Sequence, residues 1–189
     1  MPSIILLTMV KNESRIIERL LNSVVGKVDG VVVCDTGSTD NTVALAEGWL
    51  AATGLPGKVY QYPFKNFGLS RTESFRKAQE WVVSVAWDAA NTWALLLDGD
   101  MLLADAIDRA DLEKESSNPV NAGISLRQST GDMIYSNVRI LRCSEPWICK
   151  GATHEAWTCP PNRSVTHLLQ PVLKDYGDGG CKSGREYLC

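Results

Sequence analysis

The sequence predicts one α/β domain with a central, mainly parallel sheet flanked by helices and with hairpins taking over in the C-terminal third. Three observations predict it. Up to about residue 115, apolar runs ending in polar tips alternate with segments of helical period. Leu95-Leu96-Leu97, preceded by Trp93 and Ala94, is continuously apolar, the mark of a strand buried on both faces of a helix-covered parallel sheet. From Asn121 the pattern changes to short strands separated by glycine-bearing turns.

At 189 residues the chain suffices for one core, and 44% hydrophobic against 22% charged residues is a globular balance. The net charge of −3 and the dispersed Lys and Arg argue against a nucleic-acid partner, since neutralising a phosphate backbone takes clustered basic residues.

Taken in order, Ser3 to Val10 is strand one. Its apolar part is too short to span a bilayer and no basic segment precedes it, so it reads as a strand and not as a signal, and no integral membrane segment is expected. Lys11-Asn12-Glu13-Ser14 turns into a helix whose buried face is Ile16, Ile17, Leu20, Leu21 and Val24, with Ser14 placed to cap it. Gly30 to Cys34 is strand two, ending at Asp35. The polar turn Thr36 to Thr42 leads into a helix reaching about Thr53. After the break at Gly54 to Gly57 come a short strand, Lys58 to Tyr62, and a helix opened by Asn66 to Arg71 and reaching about Trp87, with Phe75, Ala78, Trp81, Val82 and Val85 as its core face. Arg71, expected in the first turn, opposes the helix dipole there, which points to another job such as holding an anion. Asp105 to Glu115 reads as a charged, exposed helix ended at Ser116 to Pro119. Strands Ala122 to Arg127 and Met133 to Leu141 flank a turn at Thr130-Gly131-Asp132. The Trp147 to Trp157 segment, a loop at Pro160 to Arg163 and a strand near Val165 to Leu169 follow, and Asp175 to Lys182 is too glycine-rich for a helix or central strand.

Six cysteines carry no C-x-x-C pair, only His154 and His167 are present to share a zinc site with them, and Cys34 falls inside a buried strand. Free thiols in a reducing, cytoplasmic compartment are the expectation.

The chemistry is concentrated at Asp98-Gly99-Asp100. In an extended chain, residues two apart point the same way and lie about 6.6 Å apart, so both carboxylates can aim at one object, most simply a divalent cation. Magnesium and manganese commonly take one or two carboxylates and complete their shell with substrate phosphates. Gly99 leaves room for a bulky diphosphate or sugar to approach. An isolated D-x-D is equally what a solvated turn closing a strand displays. In open α/β sheets ligands collect beyond the carboxyl ends of the strands, so Thr8 to Asn12, Asp35 to Asn41 and Asp98 to Asp100 should meet in one crevice.

Thr8-Met9-Val10-Lys11-Asn12-Glu13, then Val33 to Thr42 with its D-T-G-S-T-D-N-T run, then Asn66 to Arg71, then Leu97-Asp98-Gly99-Asp100 resemble glycosyltransferase family 2 in order and spacing. Pro146-Trp147, Gly151, His154-Glu155 and Gly177 to Lys182 are similar to a branch of it with a compact catalytic domain. The resemblance implies a GT-A (Rossmann-like) fold over 1–189, with residues 1–115 as nucleotide-binding half and 116–189 as acceptor-side half and Gly-rich tail. It implies a metal-dependent, inverting hexosyltransferase that moves a sugar from a nucleotide diphosphate-sugar, with a UDP-sugar as the expected donor, to a hydroxyl of a glycan, lipid or protein. Carried over by position, Thr8 and Asp35 fall where the nucleotide base is held, Val10 among the nucleotide-sugar-binding positions, and Glu13 and Arg71 where base, ribose or diphosphate is held. Asp98, with Gly99 beside it, would contact ribose and metal, and Asp100 would ligate Mn2+ or Mg2+. Glu155 matches the acidic residue beyond the metal strand and is the candidate base. His154 is the candidate third metal ligand or orienting partner, and Asp178 and Lys182 are candidates for closing over the diphosphate. The related branch usually continues from its Gly-Asp-Gly-Gly segment through an Asp-Lys pair into a helix, whereas Cys181 to Cys189 stops short. Such a departure leaves the lid incomplete and is what a catalytic fragment of a longer chain would show.

Three other readings fit the residues less well. A sugar-nucleotide nucleotidyltransferase shares such a core but typically carries a Gly-rich, basic loop after strand one, and Thr8 to Ser14 has no glycine. A non-catalytic sugar-nucleotide-binding module has no need of both metal acids and Glu155 together. A glycosidase would need two carboxylates flanking a bond, not side by side on one strand.

Overall fold

The computed structural model describes residues 1–152 and 154–179. Its first half is the predicted alternation: β1 Ser3–Val10, α1 Ile17–Ser23, β2 Gly30–Asp35, α2 Thr42–Thr53, β3 Gly57–Gln61, α3 Phe67–Ser84, β4 Thr92–Leu96, β5 Met101–Leu103 and α4 Arg109–Ser117. The second half is strands: β6 Asn121–Thr130, β7 Met133–Arg142, β8 Ile148–Lys150, β9 Ala156–Thr158 and β10 Ser164–Asp175.

Eight strands form one sheet in the order β3-β2-β1-β4-β7-β6-β10-β5, and β8 and β9 form a separate hairpin. The sheet is mixed. It is parallel from β3 through β4, turns antiparallel at β4–β7 and β7–β6, and returns to a parallel pairing at β6–β10 before the antiparallel edge β5. Alternation within the strands sorts the core into two layers. Ile4, Leu6, Val31, Val33, Trp93 and Leu95 pack with Leu20, Leu21, Ala46 and Trp49 of α1 and α2; Ile5, Leu7, Val32, Cys34, Ala94 and Leu96 pack with Phe75, Ala78, Trp81 and Val82 of α3. Cys34, Cys143, Cys149 and Cys159 are free thiols, while Cys181 and Cys189 lie outside the described residues. Among the described residues no helix is long and apolar enough to cross a membrane.

Several local expectations are corrected. β4 ends at Leu96, and Asp98 and Asp100 stand in a turn closed by the Met101 N–H donating to the Asp98 carbonyl at 3.0 Å, so a turn and not strand alternation sets where the two acids point. Ser14 does not cap α1: its N–H donates to Asp40 Oδ2 at 3.1 Å, and the helix starts on the Glu13 carbonyl, which accepts from Ile16 and Ile17. α3 stops at Ser84, so Val85 is its exposed cap, and Arg71 stands fifth in the helix, one turn in. α4 begins at Arg109 because the Asp108 carboxylate caps it, accepting from the Ala110 N–H at 2.8 Å. Glu115, expected exposed, is buried and accepts from Asn121 and Thr166 at 2.7 Å each. Trp147 is core, its indole N–H donating to the Ala122 carbonyl.

Two glycines in helices separate fit from propensity. A methyl on Gly68 would strike the backbone carbonyls of Gly151 and Cys149, the latter at 3.0 Å, whereas one on exposed Gly48 of α2 meets nothing within 4 Å. Gly68→Ala is expected to cost about 1–3 kcal/mol by overpacking. Gly48→Ala is expected to gain about 0.5–1 kcal/mol, because alanine loses less chain entropy in a helix interior. Urea midpoints of the two variants check both signs.

Candidate active site

The carboxyl ends of β1, β2 and β4 open on one side, and a cavity of about 370 Å³ lies there. Its walls come from four places: Met9 and Val10 at the end of β1 with Lys11, Glu13 and Thr36 beyond β1 and β2; Phe67 and Arg71 on α3; Asp98, Gly99, Asp100 and Met101; and the β6–β7 hairpin side chains Gln128, Tyr135, Asn137 and Arg139. Glu155, Asp175 and Gly179 complete it.

The D-T-G-S-T-D-N-T run builds this wall. Asp35, 1% exposed, accepts from the N–H groups of Gly37 and Ser38 at 3.0 Å each and from the Ser38 hydroxyl. Ser38 Oγ accepts from the Asn12 N–H at 2.8 Å, while Asn12 Oδ1 accepts from the Thr39 N–H at 2.7 Å, tying the loop after β2 to the loop after β1. Thr42 Oγ1 accepts from the Glu13 N–H at 2.8 Å. Asp40, whose burial pushes its carboxyl up, is nonetheless lowered to about 2 by the hydrogen bonds from Thr42 and Ser14. The Val10 carbonyl accepts from Thr36 N–H at 2.9 Å. Thr8 and Asp35 therefore stand behind the cavity lining, with Thr8 1% exposed and its hydroxyl without a hydrogen-bond partner among the described residues.

Four charges stand in a row across the cavity. Arg71 Nε donates to Glu155 Oε1 at 2.9 Å and Arg71 Nη2 to Asp98 Oδ1 at 2.7 Å; Arg139 Nη1 reaches Asp98 Oδ2 at 3.2 Å while its Nε donates to Gln128 Oε1 at 2.8 Å. Burial opposes the charge on Arg71, but Asp98 and Glu155 outweigh it and raise the guanidinium above its ordinary value. Burial likewise pushes the Asp98 carboxyl up, and Arg71 and then Arg139 overcome it, holding Asp98 well below the usual carboxylate range. A second cavity of about 180 Å³ lies against the same four residues, lined further by Asn137, Val138, Ala156 and half-buried Trp157.

Asp100 is 5% exposed, and a methyl on Gly179 would sit 3.1 Å from Asp100 Oδ2 and 3.3 Å from Glu13 Oε1, so these two carboxylates face one small volume. The segment over them is held by the Tyr176 N–H donating to the Asp100 carbonyl at 3.0 Å and by Asp178, which pairs with Arg19 at 2.6 Å and faces α1, outside the cavity lining. His154 is exposed and lines neither cavity; Lys182 lies outside the described residues. Among the described residues no three His, Cys, Asp or Glu side chains form a ready-made metal cluster. The donor set nevertheless fits a cation that brings other ligands with it. Five carboxylates (Glu13, Asp98, Asp100, Glu155, Asp175) and three cations (Lys11, Arg71, Arg139) line the larger cavity, an excess of the hard oxygen donors that a divalent cation takes.

Sequence reasoning missed Arg139, Gln128, Asn137, Tyr135 and Asp175, whereas Lys11 falls in the loop expected at the crevice. Tyr135 and Asn137 alternate along the exposed half of β7, and Arg139 follows at an irregularity in its pairing with β6, so no buried polar stripe marked these residues in the sequence.

A family model described as glycosyl transferase family 2 matches residues 5–105, more than half of the chain. Among solved structures, S. aureus TarS 1-349 in complex with UDP is similar at a TM-score of 0.55 and 18% identity, over 75% of this chain and 47% of that one. Its complex with UDP-GlcNAc is similar at 0.50 and 19%, over 75% and 46%. The chain thus spans about half the length of these structures, and the likeness is one of fold, the GT-A α/β fold with a mixed central sheet. No curated protein matches the chain.

Because Asp35 supports the loop through three hydrogen bonds, Asp35→Ala should lower stability by about 2 kcal/mol or more, at about 1 kcal/mol per bond lost, read from a urea titration without ligand. Asp98 gives a pH dependence. A carboxyl held lower in the folded than in the unfolded chain contributes stability fully above the unfolded value, about 4, and loses it as pH falls toward the folded value. Unfolding free energy should therefore drop below about pH 4, with a shallower drop in Asp98→Asn.

Proposed function

The chain belongs to glycosyl transferase family 2, and from that premise we propose that it transfers a sugar from a nucleotide diphosphate-sugar to an acceptor hydroxyl with inversion at the anomeric carbon. One observation carries the reading: Glu155 and Asp98 sit on opposite arms of Arg71, at the boundary between two cavities, so that a proton acceptor and a diphosphate-facing acid look across one another.

In this reading the donor occupies the larger cavity. Lys11, Arg71 and Arg139 supply positive charge to its phosphates, and Asp98 and Asp100 are the residues that would hold Mn2+ or Mg2+. When bound, the cation would supply electrostatic stabilisation of the charge on the departing diphosphate. UDP is the nucleotide of choice because the structurally similar TarS is seen with UDP and UDP-GlcNAc, and a hexose is the expected sugar. The acceptor approaches from the smaller cavity, where Trp157 offers an apolar face and Asn137 a polar one. Glu155 takes the hydroxyl proton while the acceptor oxygen bonds to the anomeric carbon, and the bond from that carbon to the diphosphate breaks as the nucleotide leaves with its electron pair. The acceptor is a glycan, lipid or protein hydroxyl, and the free thiols support a cytoplasmic setting.

A thermal-shift panel of nucleotides with and without manganese tests donor binding, since a ligand of the native state raises its apparent stability by mass action. UDP with manganese should raise the melting temperature, and Asp100→Asn should weaken that binding at least tenfold, about 1.4 kcal/mol. Glu155→Gln should bind UDP while transfer, or slow donor hydrolysis in the absence of acceptor, falls by roughly 10²–10⁴. Undiminished turnover in Glu155→Gln would take the base role from it, and donor binding without any turnover in the parent protein would favour a non-catalytic module.

A further inference from the structure

On the far side of α3 from the larger cavity lies a further space of about 420 Å³ that the proposed reaction does not use. Leu69, Thr72, Glu73 and Arg76 face it, a stripe at helical spacing on the other side of the helix from Phe67 and Arg71, and the two cavities share no lining residue. Tyr62 and Pro63 before the helix and Ile148 of β8 supply the remaining apolar wall. The floor is neutral and already satisfied. Thr72 and Cys149 are buried there, the Thr72 hydroxyl donates to the Gly68 carbonyl at 2.8 Å and accepts from the Cys149 N–H at 2.9 Å, and burial pushes the Cys149 thiol up to about 11. The mouth has a different chemistry. Leu69 and Ile148 are 56% and 48% exposed, apolar side chains left to water, and Lys65 and Arg76 line the same groove. Lys65 is exposed and forms no ion pair among the described residues, while Arg76 reaches Glu73 only at 3.8 Å, an acid that Lys77 approaches at the same distance. The rim is thus positive in a chain whose net charge is −3.

We propose that this groove is a second binding site, for an amphiphilic anion: an unbranched apolar chain on the floor between Leu69 and Ile148, with a carboxylate or phosphate head at Lys65 and Arg76. The volume falls within the roughly 300–1,000 Å³ of small-ligand clefts, and apolar walls with a few convergent charged groups are what orients a ligand in them. A polar body would be desolvated against a floor that has no free donor or acceptor for it, and a cationic head would meet like charge at the rim. An apolar chain removes Leu69 and Ile148 from water, and an anionic head gains charge-assisted hydrogen bonds. Leu69 belongs to α3 and Ile148 to β8, so a bound chain bridges the two elements whose contact sets Arg71 beside Glu155. Occupied, the groove braces that contact from behind.

Isothermal titration of the full chain with decanoate, decyl phosphate, decylammonium and acetate, each below its micelle-forming concentration, tests the site without any nucleotide. Decanoate or decyl phosphate should bind saturably at a single site, the tighter of the two naming the head group. Acetate should not bind, and decylammonium should bind more weakly by about tenfold or more. Leu69→Gln and Ile148→Gln, at exposed positions outside the transfer site, should each weaken the preferred anion by roughly tenfold or more, since its chain loses an apolar partner. Lys65→Glu combined with Arg76→Glu should reverse the preference between decanoate and decylammonium. Absence of saturable binding by both anions would overturn the proposal, as would parental affinity in both Gln variants or equal binding of decanoate and decylammonium. A concentration-dependent dimer in sedimentation velocity that Leu69→Gln dissociates would also overturn it, by giving the groove to a second copy of this chain.

Discussion

The site hangs on Arg71, because its guanidinium joins three stretches that the chain keeps far apart. α3 supplies the arginine, the turn after β4 supplies Asp98, and the loop before β9 supplies Glu155, 84 residues further on. The join requires the start of α3 to lie against the backbone around residue 150. The first N–H groups of a helix have no partner within it, and those of Phe67 and Gly68 donate to the Ala152 and Gly151 carbonyls at 3.3 and 2.9 Å. Thr72 Oγ1 accepts from the Cys149 N–H at 2.9 Å one turn further on. The loop that carries Glu155 thus serves as part of the cap of the helix that carries Arg71. Gly68 permits the approach, since a side chain there would occupy the space of the Gly151 carbonyl.

The change of strand direction at β4–β7 decides what faces this join. Parallel strands β3 to β4 bring their carboxyl ends, and the polar loops after them, to one edge. β7 runs against β4, so its side chains enter the same region from the opposite direction. One face of β7 presents Tyr135, Asn137 and Arg139 to the cavity, and Gln128, opposite Tyr135 on β6, holds Arg139 in place. A wholly parallel sheet would have covered that side with a crossover helix. Here a hairpin lies there instead, and the cavity acquires a second wall of different chemistry.

This explains which parts of the molecule were legible in the sequence. Strands β1, β2 and β4 announce themselves by runs of apolar residues because both their faces are covered, and α1 to α3 by the spacing of the residues that cover them. The meeting of Glu13, Arg71, Asp98, Asp100 and Glu155 was anticipated from motifs, and all five line the larger cavity. The roles within the motifs were harder to read, because a carboxylate that braces a loop and one that meets a ligand look alike in one dimension. Asp35 and Asp40 brace; Asp98 and Asp100 face the cavity. Arg139 escaped because its partner, Asp98, is 41 residues away and on no shared element, and the β10 pairings with β5 and β6 escaped because long-range register leaves no local mark. Trp147 and Trp157 are ten positions apart in one segment, yet the first is buried in the core and the second borders the smaller cavity.

The row of charges also resists an account from stability alone. Moving carboxylates and guanidiniums out of water costs several kcal/mol per ion, roughly what their mutual attraction returns, so well-packed apolar side chains of similar volume would hold three chain segments together about as well. Removing a single member leaves an uncompensated charge and costs about 3–5 kcal/mol. Such a cluster is therefore easy to break and gains the fold little by existing. What it does that an apolar cluster does not is present two arginines, already ordered and partly desolvated, at the edge of a cavity whose other wall is carboxylate. An incoming anion that brings its own cation meets both signs of charge at fixed positions and loses little to reorganisation. The interaction that ties the architecture together is thus also the one whose charged groups a ligand of either sign can meet.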